Sequence, residues 1–384
     1  MTRIAVVGRG LWGSAAAMHL VEAGHHVALI GPSEPADPKD HAGPHGSHHD
    51  AGRITRKIAK DRFWTRVSTA SIDRYARLEA DSGIRFYEAS GGLMCSPDPG
   101  YSARVLAAAQ AEGVAHETLD HAALAARYPM FRFPAGTAGI ADAAGGTIDP
   151  RAMRRAHEAL AIRAGAEVVD AAATGLTDTG VSLADGRHIA ADRILVATGA
   201  WAGLDNLLPV RPDMYVAPRT ILFVEVEGAQ AEALTAMPSL LFEDAGADHY
   251  LYLLPPVRYP DGKLRLKIGG EPGLPGLKTP AEAAAWFATD GDTSVAQYLK
   301  TALSQLMPDL DLGRATSGSC ILALTPSDHP YIARLSDRIA VATGCNGAGA
   351  KCADELGRLA AEAVLGADPD PGLALRLAEE PAAG

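Results

Sequence analysis

The chain predicts a two-domain α/β fold, in which a layer built on parallel strands is interrupted by an inserted antiparallel sheet. Three observations predict it. VVGRGLWGSA, residues 6–15, sets Gly8, Gly10 and Gly13 between an apolar run and an Ala-rich segment. DRIAVATGCNGAGAKCADELGRLAAEAVLG, residues 337–366, repeats the order of strand, glycine turn and helix at the other end of the chain. Between them, from about Thr220, ILFVEVEG, HYLYLLPP and KLRLKIGG alternate polar and apolar residues, the pattern of a sheet with one covered face.

Taken in order, Ile4 to Val7 reads as a buried strand. The following helix carries Leu11, Ala15, Met18 and Val21 on one face and closes at Gly24, before a second strand from His26 to Ile30. DPRAMRRAHEALAIRAG, residues 149–165, reads as a helix with Asp149 as N-cap, Pro150 at its first position and Gly165 at its end. Asp185-Gly186 marks a hairpin turn, and Arg193 to Ala197 a buried strand. No internal repeat or low-complexity segment interrupts this order, and the Ala- and Pro-rich tail after Gly366 is expected to be loosely held.

Composition narrows the function classes. The 384 residues are 47% hydrophobic and 21% charged, as in ordinary globular proteins, with a formal charge of -11. That balance argues against a nucleic-acid or anionic-membrane surface and for a small-molecule partner. Cys95, Cys320, Cys345 and Cys352 are too few and too irregular for a disulfide scaffold. No apolar run has the length of a membrane span, and the N-terminus lacks a cleavage signal, so a cytoplasmic location is expected.

The glycines of residues 6–15 fit GxGxxG directly after a strand. Gly8 permits the tight turn, Gly10 lets the backbone approach a pyrophosphate, and Gly13 packs helix on strand. The acidic residue that usually ends the second strand would fall at or beside Gly31, where the sequence reads LIGPSEP; Ser33 or Glu34 could take its place. RILVATGAW, residues 193–201, resembles the strand-and-ATG segment of FAD-binding oxidoreductases and brings in Thr198 and Gly199 as cofactor contacts. ATGCNGAGAK could place helix N-terminal N–H groups, around Gly347 and Gly349, against a flavin ring. Together these favour FAD. The stretch GPHGSHHDAGRITR, residues 43–56, adds His45, His48 and His49. No matching Cys or carboxylate cluster accompanies them, so packing beside the flavin or its phosphates, with Ser47 and His48 as contacts, is favoured over a metal site.

GSHHDAGRITR, KLRLKIGG, SGSCILALTPSDHP and GCNGAGAK, in that order and with comparable separations, resemble the monomeric sarcosine oxidase and N-methyltryptophan oxidase group of the D-amino-acid-oxidase-like flavoproteins. The similarity covers nearly the whole chain and is loose in the middle. It implies a Rossmann-like FAD-binding domain formed by residues 1–85, 146–212 and 318–384, with an inserted antiparallel-sheet substrate domain of residues 86–145 and 213–317. By matching position, Arg53 lies beside the flavin, and Arg56 with Lys351 grips a substrate carboxylate. Lys267, which alternation alone would make an exposed edge charge, matches the lysine that promotes reaction with oxygen. Cys320 matches a cysteine joined to the flavin 8-methyl carbon, so covalent FAD is expected.

Tyr252 matches an active-site tyrosine. Glu271 stands where a histidine is expected, Leu322 where a tyrosine is, and Ala348 where a second histidine is, which implies a pocket shaped for something other than sarcosine. Lys267, Arg53, Tyr252 and Glu271 are thus the candidate catalytic residues, and Arg56, Lys351 and Leu322 the candidate substrate contacts. The implied reaction moves a hydride from a carbon beside a secondary or cyclic amine of an amino acid to flavin N5, and O2 takes the electrons to give H2O2. Three alternatives stay open: an FAD-dependent amine dehydrogenase with another electron acceptor, a nicotinamide-dependent dehydrogenase, and a flavin-binding subunit without turnover.

Overall fold

A computed structural model describes residues 1–34, 46, 48–244, 249–270, 273–367 and 370–378. The opening βαβ unit forms where expected, as the strand Arg3–Val7, the helix Leu11–Glu22 and the strand His26–Ile30. These strands enter a six-stranded sheet that runs Tyr331–Arg334, Ile339–Thr343, Arg193–Val196, Arg3–Val7, His26–Ile30, Glu167–Val169. All neighbours are parallel except the first pair, where Tyr331–Arg334 returns antiparallel at the edge.

Period two decides which side each residue covers. Ile4 and Val6 face a core shared with the helices Leu11–Glu22, Pro150–Arg163 and Ala353–Leu365. Ala5 and Val7 face the opposite core, shared with Val181 and Leu183 of a three-stranded antiparallel sheet. Full burial of each such aliphatic side chain contributes about 1.5–3 kcal/mol. The Ala-rich first helix lets its neighbour approach closely: a Cβ on Gly357 would sit 2.5 Å from the Ala15 Cβ and 2.8 Å from the Ala16 nitrogen. Asp149 caps the Pro150–Arg163 helix by accepting from the N–H groups of Arg151 and Ala152, as its sequence predicts.

The inserted sheet has eight strands, in the order Ala315–Leu324, Tyr215–Glu225, Leu264–Gly270, His249–Arg258, Ser239–Asp244, Gly92–Ser96, Ala138–Asp142, Glu117–Leu119. It is antiparallel apart from one junction: Ser239–Asp244 pairs parallel with Gly92–Ser96. Those two strands come from separate stretches of chain, so no hairpin constrains their relative direction. The boundary expected at residue 318 falls within the Ala315–Leu324 strand, whose ten residues pair with Tyr215–Glu225. Leu264–Gly270 is central, flanked by Tyr215–Glu225 and His249–Arg258. Lys267 is therefore no edge charge; it is 1% exposed. Among the described residues no helix is long and apolar enough to cross a membrane.

Candidate active site

A cavity of about 400 Å3 opens at the carboxyl ends of the parallel strands, where Val7, Ile30, Ala197 and Thr343 hand over to Gly8, Gly31, Thr198 and Gly344. This is where an open α/β sheet binds ligands. Gly8 has φ +116°, and a side chain there would collide with the Ala197 carbonyl oxygen. Gly13 lies behind the cavity, where a Cβ would strike the Gly8 carbonyl oxygen, so the first and third glycines set the turn and the second leaves space. Gly10 is the N-cap of the first helix without a side-chain cap, so the first-turn N–H groups stay available at the cavity wall. Thr198 Oγ1 is buried with no hydrogen-bond partner among the described residues. These unspent donors and the missing side chains fit a dinucleotide's pyrophosphate.

Gly199, Gly347, Gly349, His48, Arg53, Cys320 and Leu322 also line the cavity. The last helix begins only at Ala353, later than expected, and the N–H groups of Ala348 and Gly349 already donate to the Cys345 carbonyl. GCNGAGAK thus lines the cavity as a turn, pinned by the Trp12 Nε1 bond to the Gly349 carbonyl at 2.9 Å. Near the second strand the carboxylate lies at Glu34, three residues past Gly31. Its Oε1 is 2.7 Å from His48 Nε2, and Arg151 lies 3.6 Å from its other oxygen. Burial disfavours the Glu34 charge, but His48 and the arginines outweigh it and hold the group down to about 2.

Arg53 connects this cavity to a buried charge cluster that the sequence reading did not single out. Asp50 Oδ2 accepts from Arg53 Nη1 and from Lys267 Nζ, each at 2.5 Å, and Lys267 also donates to the Gly52 carbonyl at 2.7 Å. Tyr259 donates its hydroxyl to Asp50 Oδ1 at 3.1 Å. Burial works against the Asp50 charge, yet Lys267 and then Arg53 keep it well below the usual carboxylate range. Burial, then the Arg53 charge, push Lys267 down to about 8 despite Asp50. Lys267 sits 6.0 Å from the Tyr252 ring centroid, and Tyr252 lies across Gly269, where a Cβ would strike its ring. Burial also raises the Tyr252 phenol, which stays protonated at neutral pH.

A second cation pair lies nearby. Arg56 Nη1 donates to the Ile58 carbonyl at 2.8 Å, while its Nε is buried with no hydrogen-bond partner among the described residues. Lys351 is 3% exposed, donates to the Ala348 carbonyl at 3.0 Å and stands 5.4 Å from the Trp64 ring centroid. Burial is the first cause that pushes Lys351 down to about 8, and the Arg56 charge adds to it. Among the described residues neither cation forms an ion pair with a carboxylate. Tyr101, whose buried hydroxyl has no partner there either, packs with Ile54, Tyr250 and Tyr252 beside them. Ser47 and Glu271 lie outside the described residues, as does His45.

Asp50 had one legible signal. Four cations drawn to one pocket require an internal anion, and Asp50 stands three residues before Arg53. Tyr101, Tyr259 and Trp64 had none, because only long-range folding brings them in.

The family model DAO, FAD dependent oxidoreductase, matches residues 3–363. The chain is 25% identical to peroxisomal sarcosine oxidase of Homo sapiens over 394 residues, covering 99% of this chain and 96% of that protein. It is 26% identical to N-methyl-L-tryptophan oxidase of Citrobacter koseri over 378 residues, covering 95% of each. The structure of NikD, an amino acid oxidase essential for nikkomycin biosynthesis, superposes with a TM-score of 0.78 over 99% of both chains at 20% identity, a likeness of fold. With the strand-end cavity, its glycine turn and a family match spanning almost its entire length, the chain belongs to the FAD dependent oxidoreductases of the DAO family.

Proposed function

We propose that this flavoenzyme is an amine oxidase for a secondary or cyclic amino acid, such as an N-methyl amino acid. The observation that carries this reading is the pair Arg56 and Lys351, two cations on the tyrosine-lined side of the site that form no ion pair with a carboxylate among the described residues. A substrate carboxylate is the anion that completes them. The Arg56 fork offers parallel N–H donors and Lys351 a point charge. The substrates named for the relatives, sarcosine and N-methyltryptophan, have such a carboxylate beside a secondary amine.

Bound FAD supplies the acceptor for a hydride from the carbon next to the amine. The substrate loses that hydride, a C=N bond forms, and water then releases the carbonyl product. The two electrons, with two protons, convert O2 to H2O2. The surrounding cations favour binding of the amine nitrogen in its neutral form, so no protein base is required. Arg53 and Tyr252 bound the reacting face, and the Lys267 ammonium stabilises the negative charge that develops on oxygen. Leu322 and Ala348 widen the amine side relative to the tyrosine and histidine expected there. Glu34 takes the ribose role of the missing residue beside Gly31. In air, turnover should release one H2O2 for each carbonyl formed; amine oxidation without peroxide would overturn the oxidase reading.

Cys320 is the proposed covalent anchor. It is 7% exposed, lines the cavity and lies within electrostatic reach of Arg53 and Lys267. With FAD bound, this sulfur would be the group joined to the flavin methyl carbon, the thiol and the methyl group each giving up a proton and the two electrons going to O2. The Cys320→Ser protein should therefore lose its yellow colour to the supernatant on acid precipitation, while the unaltered protein keeps it in the pellet. Colour released equally from both would remove the assignment.

A further inference from the structure

Lys267 reaches the site from a central strand, and its orientation there is set from outside that strand. Its ammonium has three N–H groups. One goes to Asp50 Oδ2, one to the Gly52 carbonyl, and the third has no partner among the described residues. Asp50 is gripped in turn: Oδ2 also takes Arg53, and Oδ1 takes the Ala51 N–H at 2.7 Å and the Tyr259 hydroxyl at 3.1 Å. Its donors come from the loop and strand around Arg53, from the central strand 217 positions away, and from the turn after His249–Arg258. The side chains of Asp50 and Lys267 are 5% and 1% exposed. A lone buried charge costs several kcal/mol, so each charge lowers the cost of burying the other.

We propose that Asp50 is the positioning residue of the oxygen half-reaction: it fixes the Lys267 ammonium and the Arg53 guanidinium in one arrangement, and it is the buried anion that keeps Lys267 protonated. The proposal rests on the oxidase reading above and adds to it a residue that neither the sequence motifs nor the relatives' names assign.

Among the described residues, the charged and titratable groups facing Lys267 are few. Arg53 opposes its charge and Asp50 favours it. Tyr252 and Tyr259 stand on the His249–Arg258 side, and Cys320 on the Ala315–Leu324 strand. On Tyr215–Glu225 the residue opposite is Phe223. The helix Thr293–Leu306 covers the other face of the strand with Val295, Leu299 and Leu303, packed with Leu266 and Ile268. His49, next in sequence to Asp50, is driven down to about 4 by burial and then by Arg53, so it is neutral over the working range. Asp50 is thus the anion that offsets both burial and Arg53 at Lys267. Without it, the two largest influences left, burial and Arg53, push the ammonium toward the neutral amine.

The test compares the unaltered holoenzyme with Asp50→Asn and Asp50→Glu. Lys267 is titrated by 15N NMR of its ammonium, assigned by its loss in Lys267→Met, and the return of yellow colour in air is timed from pH 6 to pH 9. In the unaltered protein the oxygen reaction is fast while Lys267 is protonated and falls as pH rises through about 8. In Asp50→Asn both the NMR titration and this fall should move down together by a unit or more. Reoxidation is then slowed roughly fivefold or more at pH 8 and restored on acidification. Asp50→Glu keeps the charge and should keep the profile near its original position, which tests the proposal even if the Asn protein does not fold. An unmoved Lys267 titration, a loss equal at every pH, or a Glu protein that behaves like the Asn protein overturns the proposal. If Lys267→Met reoxidises at the normal rate, the oxygen role of Lys267 fails, while the NMR shift still decides whether Asp50 holds its proton.

Discussion

Lys267→Met should slow the return of yellow colour in air by about 10²–10³-fold, the scale for removing one preorganised charge from a developing anion. Bleaching by the amine should change far less. The asymmetry follows from where charge develops: oxygen becomes negative as it accepts an electron, whereas the amine carbon gives up a hydride and becomes positive. Methionine nearly matches the lysine in length and suits a site that is 1% exposed. Asp50 is not orphaned by the change, because Arg53 Nη1 remains on its Oδ2. The protein should therefore fold, stay yellow and bleach. Stopped-flow absorbance of the two half-reactions checks this, and equal slowing of both would remove Lys267 from the oxygen step.

Arg56→Ala should lower kcat/KM for the amino acid by roughly 10–150-fold, which corresponds to about 1.5–3 kcal/mol for hydrogen bonds to a charged group. Most of the loss should fall on KM, since the carboxylate is held equally before and during hydride transfer. The discriminating comparison is the same amine without its carboxylate. The unaltered enzyme should prefer the amino acid strongly, and Arg56→Ala should lose most of that preference while turning over the bare amine almost as before. Lys351 would remain as a point charge, so some preference should survive. A preference untouched by Arg56→Ala would place the carboxylate elsewhere.

What could be read from the sequence was what neighbours in the chain decide. The glycine turn, the Asp149 cap and the first two strands depend on contacts within a few residues, and they lie where the pattern puts them. Lys267 shows where that logic ends. Alternation in LRLKIGG makes it an exposed edge residue, but the strand is central and the Asp50 segment covers its lysine face. Residue 318 lies inside a strand for a related reason. ATSGSCILAL carries both a cavity cysteine and ten residues of pairing in the inserted sheet, so one strand serves both units. Asp50 was visible in its segment, but its partner lies 217 positions on, and no local period encodes that meeting. Glu34 likewise became meaningful only when His48 and Arg151 were found beside it.

The amine-to-flavin-to-oxygen sequence underlies every role proposed for these residues. Its most direct test is the visible spectrum of the purified protein, recorded without oxygen while N-methyl and cyclic amino acids are added one at a time, and again after air is admitted. The expected result is a yellow protein that at least one of these amino acids bleaches and that air restores. A colourless protein, a yellow one that none of them bleaches, or one that bleaches but stays bleached in air would contradict it.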